Sequence, residues 1–104
     1  MVADGFFDTV IQNGTIVDGS GESRFQSDIG IKNNRIQAMG DLSMSTSGRQ
    51  INATNRIVAP GFIDVHTHDD RVLLAKPTMD MKISQGVTSV IVGNCGISLA
   101  PLVA

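Results

Sequence analysis

From Phe6 to Val58 the chain alternates short apolar stretches with turn residues. The stretches are Phe7 to Gln12, Thr15 to Asp18, Asp28 to Lys32, Arg35 to Met39 and Gln50 to Ala53. Runs this short, rich in β-branched residues and bounded by polar punctuation, predict a meander of short strands. Asn13-Gly14 and Asn33-Asn34 fall between such stretches. Both pairs tolerate the positive φ that tight turns demand, so two hairpins are expected. Asp18-Gly19-Ser20-Gly21 and Leu42 to Gly48 are rich in Ser and Gly and read as loops, and no internal repeat is present.

The pattern changes at Pro60. Ile57 to Val65 is an almost continuous apolar run, as expected of a strand covered on both faces in a parallel sheet. Pro77 to Gln85 predicts a short helix, with Met79 and Ile83 four apart on one face and Gly86 placed to end it. Val87 to Val92 then reads as a second buried strand, closing in Gly93-Asn94-Cys95-Gly96. Strand, helix and strand in this length make one βαβ unit. A right-handed crossover puts the carboxyl ends of its two strands on one edge. The expected fold class is therefore mixed β and α/β, with a boundary between residues 58 and 59.

Composition narrows the function. The chain has 104 residues, 41% of them apolar and 17% charged, which fits a folding globular chain. It is far short of the roughly 250 residues of a closed eight-stranded α/β barrel. The net charge is −2 and the eight Lys and Arg residues form no run, so neither nucleic acid nor an anionic membrane is an expected partner. Met1 to Val10 contains Asp4, Gly5 and Asp8, unlike a signal peptide, and no segment reaches membrane-spanning length; the expected location is cytoplasmic. Cys95 stands alone in the sequence, so it is inert packing or else a reactive or metal-bound thiol.

The chemistry concentrates where the strands end. His66-Thr67-His68 follows directly on Phe62 to Val65. Residues two apart on a strand share a face, so the two imidazoles can converge on a divalent metal such as zinc. The blander reading has one histidine packed and the other solvated. Carboxyl ends of parallel strands are where reacting groups gather, and Cys95, just past the next strand, reaches the same edge. A small buried residue in a glycine turn is its alternative reading; beside His66 and His68 a ligand is favoured. Asp69 and Asp70 read as water-facing caps of the loop or the following helix, with orientation of the histidines as the second option. Asp80 and Lys82 read as a solvated helix face and the methionines as core filling.

These residues resemble a known family. Ala59-Pro60-Gly61-Phe62-Ile63-Asp64 running into His66-Thr67-His68 resembles the first barrel strand of the metal-dependent amidohydrolase superfamily, and Asn13-Gly14-Thr15-Ile16-Val17-Asp18 looks like its opening hairpin. His68-Asp69-Asp70, Ile83-Ser84-Gln85-Gly86-Val87-Thr88 and Gly93-Asn94-Cys95-Gly96-Ile97-Ser98 are similar to the D-aminoacylase branch. The resemblance implies part of a small β-sandwich over residues 1–58. It also implies the first strand-helix-strand of a TIM-like (β/α)8 barrel over 59–104. By the same resemblance His66, His68 and Cys95 are metal ligands for one or two zinc ions, and the substrate is an N-acyl-D-amino acid. Two further histidines and a general-base aspartate are expected later in the parent protein, so no catalytic residue is assigned here and this chain alone is expected to be inactive.

Two alternatives stand beside that expectation. One keeps the barrel and changes the substrate to a cyclic amide or ureide, as in dihydroorotase-like or hydantoinase-like relatives, against which the Gly-Asn-Cys-Gly block speaks. The other is a non-catalytic β-module that binds no metal. Two barrel strands with an unpaired apolar edge also lead us to expect self-association or disorder beyond Pro60.

Overall fold

Strand β1 (Phe6–Ile16) is the spine of the first of two compact units, 1–60 and 61–104. The computed structural model describes residues 5–99; the opening four residues, part of the stretch read for a leader, and the final five lie outside them. On one edge of β1 lies β2 (Phe25–Lys32), antiparallel, and beyond it β3 (Arg35–Gly40). Strands β4 (Thr46–Asn52) and β5 (Ile57–Val58) take the other edge, both parallel to β1, against Phe6–Gln12 and Thr15–Ile16 respectively. The result is one five-stranded mixed sheet.

The hairpin expected at Asn33-Asn34 forms. Lys32 pairs with Arg35, and the two asparagines have φ of 52° and 60°, the two left-handed positions that a type I′ turn requires. The hairpin expected at Asn13-Gly14 does not form, because only Asn13 adopts positive φ, at 61°. One left-handed residue makes a bulge: the β1–β2 register shifts between Ile11 and Gly14 and the strand continues. The bulged Asn13 N–H donates to Asp28 Oδ1 at 2.8 Å, and the other oxygen of that carboxylate accepts the Leu42 N–H at 2.9 Å. Gly14 serves close approach, since a Cβ there would lie 2.6 Å from Val58 Cγ2. Strand β4 begins four residues before the expected Gln50, because backbone pairing with Phe6 and Phe7 asks nothing of its polar side chains.

Both faces of this sheet are apolar. Phe7, Val10 and Leu42 form a buried cluster with Ala38 packed against it. Ile11, adjacent to Val10, belongs to the opposite face, where it helps line a groove of about 320 Å³ with Ile29, Ile31, Ile36, Met39 and Val58.

The second unit is a two-stranded parallel sheet, β6 (Phe62–Asp64) and β7 (Val87–Val90), joined through two short helices, α1 (Asp70–Ala75) and α2 (Asp80–Ile83). The apolar run Ile57 to Val65 is thus not one strand. It breaks at Ala59-Pro60-Gly61, with two residues in the first sheet and three in the second, and Pro60 brings no N–H to a ladder. Phe62, Ile63 and Val65 are exposed rather than covered on both faces, as one neighbouring strand cannot enclose them.

Helix α1 is not announced by the pattern, since Val72, Leu73 and Leu74 are consecutive rather than helically spaced. The helix expected over 77–85 shrinks to α2, because Met79 sits at φ 50° and interrupts any turn begun at Pro77. Met79 is buried while Ile83 is exposed, so the two do not share a core face. Gly86, at φ 82°, ends the helical turn with its N–H on the Ile83 carbonyl at 2.9 Å. Met39, Met44 and Met81 are exposed, so among the described methionines core filling holds for Met79 alone. Among the described residues no helix is long and apolar enough to cross a membrane.

Candidate metal centre

Strands β6 and β7 are parallel, with Asp64 opposite Val90, so both chains leave the sheet at one edge. The ladder runs past the strand ends: Ile91 N–H donates to the Asp64 carbonyl at 2.8 Å, and Thr67 N–H to the Ile91 carbonyl at 3.0 Å. Thr67 is the buried residue between two exposed histidines. Its hydroxyl donates to the same Ile91 carbonyl at 3.0 Å, and the Asn94 side-chain amide adds a third hydrogen bond there at 3.1 Å. With Thr67 turned inward, His66 and His68 are presented outward on either side of it.

Cys95 arrives from the other strand end. Gly93, Cys95 and Gly96 have φ of 84°, 58° and 70°, a tight left-handed turn that glycine makes at little cost and cysteine does not. It sets Cys95 Sγ 3.6 Å from His66 Nε2. The His66 and His68 rings meet edge to face with centroids 5.8 Å apart. One ligand atom from each of His66, His68 and Cys95 lies within 4.8 Å of the others. The three sequence-predicted residues therefore come together, all of them exposed.

The carboxylates around this loop behave differently from their sequence reading. Asp69 stands at the N-cap position of α1 but makes no side-chain cap hydrogen bond. Lys82 is not a solvated residue on a helix face: its Nζ lies 2.8 Å from Asp64 Oδ2 and 2.8 Å from Asp69 Oδ2. The first contact is an aligned hydrogen bond, whereas the second is an ion pair without that alignment. Asp70 Oδ2 accepts the Leu99 N–H at 2.8 Å. The Lys82 ammonium holds the Asp64 carboxyl below the usual carboxylate range, assisted by the His66 N–H. Asp64 first, and then Asp69, push the Lys82 ammonium upward. Pattern reading passed over Lys82 and Asp64. A lone carboxylate inside the apolar run Ile57 to Val65 was the available sign, because such a group requires a partner.

Imidazole and thiolate together are a donor set suited to zinc, and tetrahedral coordination spaces donor atoms roughly 3.3–3.8 Å apart. The His66–Cys95 separation of 3.6 Å already falls there.

The amidohydrolase family's sequence profile matches residues 49–101, which hold all three of these side chains. The chain belongs to the amidohydrolase family. Within it, the chain is 54% identical over 94 residues to N-acyl-D-glutamate deacylase of Alcaligenes xylosoxydans xylosoxydans, covering 90% of this chain and 19% of that protein. It is 51% identical over 96 residues to D-aminoacylase of the same organism, covering 92% and 20%. Among solved structures it is similar to N-acyl-D-glutamate deacylase from Bordetella bronchiseptica, complexed with zinc and a phosphonate inhibitor. That match has a TM-score of 0.87 and 47% identity over 91% of this chain and 20% of that one. The chain spans about a fifth of the length of the curated relatives it matches.

Proposed function

We propose that this chain is part of a zinc-dependent amidohydrolase that cleaves the amide bond of N-acyl-D-amino acids to a carboxylate and a D-amino acid. In this reading residues 1–58 belong to a small β-sandwich, and 59–104 are the first strand-helix-strand of a (β/α)8 barrel. The observation that carries the reading is the convergence of His66, His68 and Cys95 at the carboxyl ends of two parallel strands. Support for the D-acyl substrate comes from the similarity to relatives named for that chemistry.

His66 and His68 would hold the metal through imidazole nitrogens and Cys95 through its thiolate. Zinc held there supplies Lewis acidity toward an amide carbonyl. The Thr67 anchor fixes the separation of the two imidazoles, and the exposed side chains leave the approach to them open. Hydrolysis also needs a group that moves a proton to the leaving nitrogen. The nearest carboxylates are committed: Asp64 and Asp69 to Lys82, and Asp70 to the Leu99 N–H. In this reading the base is supplied by another part of the parent protein, and the chain alone is expected to show no turnover.

Cys95 is the single cysteine of the sequence, so alkylation reads the site directly. Zinc should slow iodoacetamide labelling of Cys95, and the protection should disappear in His66→Ala and His68→Ala. Equal labelling rates with and without zinc would remove the metal-site reading. The substrate reading is checked on a full-length protein containing this segment, with matched N-acyl-D- and N-acyl-L-glutamate; hydrolysis confined to the L series would overturn it.

A further inference from the structure

We propose that Lys82 is a positioning residue for the histidine pair: one ammonium ties together both ends of the loop that carries His66 and His68. The inference deepens the metal-site reading and rests on it.

The loop leaves the sheet at Asp64 and enters α1 at Asp69, so both histidines lie between these carboxylates. Lys82 comes from α2, later in the chain, and meets Asp64 and Asp69 at the same distance, 2.8 Å. Asp64 Oδ1 accepts the His66 N–H at 3.4 Å while its Oδ2 takes Lys82, so the ammonium orients the carboxylate that touches the first histidine's backbone. Asp69 directly follows the second histidine, and its N–H donates to Thr67 Oγ1 at 3.4 Å. Between the two ends, Thr67 is fastened to the Ile91 carbonyl by both its N–H and its hydroxyl. The loop is thus pinned at each end by Lys82 and in the middle by β7's continuation.

Removing the ammonium leaves two carboxylates facing each other beside the ligands, with no counter-charge from Lys82. Like charges so placed repel each other, and the two ends of the loop lose the one group that both of them contact. Without the clamp, metal binding must bear the cost of ordering this loop.

The test uses the whole chain and zinc alone. Zinc affinity is measured by chelator competition in wild type, Lys82→Met and Lys82→Arg, with thermal unfolding run in parallel. Loss of an outer partner that orients a ligand typically lowers metal affinity about ten- to a hundredfold. The expectation is a loss of that size in Lys82→Met with the loss substantially recovered in Lys82→Arg. Zinc affinity within twofold of wild type in a folded Lys82→Met overturns the proposal. So does an Arg variant as weak as the Met variant, because that result assigns Lys82 a packing role. If Lys82→Met unfolds residues 61–99, Asp69→Asn removes one arm of the clamp instead, and unchanged zinc affinity in that variant counts against the proposal equally. Should wild type itself bind no zinc, the metal-site reading fails on its own. Amide exchange at Thr67 and Asp69 in metal-free Lys82→Met then decides the clamp: faster exchange there, with residues 6–52 unchanged, sustains it, and unchanged protection overturns it.

Discussion

Substituting Gly30 by alanine should destabilise the first unit, and the structure says where the strain falls. Gly30 lies in β2 opposite Val10 of β1 and Ala38 of β3. A Cβ built on it would stand 2.7, 2.8 and 2.9 Å from Cε1, Cδ1 and Cζ of the Phe7 ring. Carbon atoms in comfortable contact are about 3.5–4.0 Å apart, so the ring must retreat by roughly 0.7–1 Å. It has little room, being 4% exposed within a cluster whose other members, Val10 and Leu42, are 1% and 0% exposed. Overpacking of this kind costs about 1–3 kcal/mol. Against it, alanine is favoured over glycine in a strand interior by about 0.5–1 kcal/mol. The net loss is about 1 kcal/mol, which lowers Tm by about 4–8 °C in a domain of this size. Thermal and urea unfolding should be measured for Gly30→Ala, Phe7→Leu and the double variant. In the Phe7→Leu background the added methyl should be neutral or stabilising, giving a coupling energy of about 0.5–3 kcal/mol. An equal loss in both backgrounds would place the strain in the backbone, and no loss in either would mean that Phe7 is not held against Gly30.

Leu42→Ala removes the most completely buried side chain of the described core and should cost about 2–5 kcal/mol in urea unfolding; a loss below about 1 kcal/mol would show that the loop carrying it packs elsewhere. Asp18 Oδ1 accepts hydrogen bonds from the Ser20 hydroxyl at 2.6 Å and the Ser20 N–H at 2.9 Å, and these, the hydroxyl first, hold its carboxyl below its ordinary value of 3.8. Because folding lowers this pKa, the turn's contribution to stability is fully present above pH 3.8 and is lost as pH falls through the lower folded value. In Ser20→Ala, carboxyl NMR should find Asp18 moved back toward its ordinary value, and an unchanged titration would discount the hydroxyl.

Some of this fold was legible because the cause is local. Asn33-Asn34 specifies a type I′ turn from its own backbone preferences, and the strands on either side need nothing else to register. His66-Thr67-His68 could be placed at a strand end because the nearly continuous apolar run before it is short-range information. Cys95 could be brought to the same edge because any parallel pair has its carboxyl ends together. Gly86 could be identified as a helix stop from its lack of a Cβ.

What escaped was set by partners distant in the chain. Asn13-Gly14 is as good a turn signal as Asn33-Asn34, yet β2 and β5 pair with β1 on either side of it, and their ladder hydrogen bonds carry the strand straight through. Pro60 marks a change inside the apolar run at residues 57–65 but not which sheet each half will join; that depends on β1 for one half and β7 for the other. Lys82 looked like surface charge because its acidic partners are 18 and 13 positions away, beyond any helical spacing. The amino-acid sequence by itself determined the candidate ligand residues, the short strands and the family of this chain. Only the tertiary structure decided how the loop bearing the histidines is held, because electrostatic pairing acts through space and is indifferent to distance along the chain.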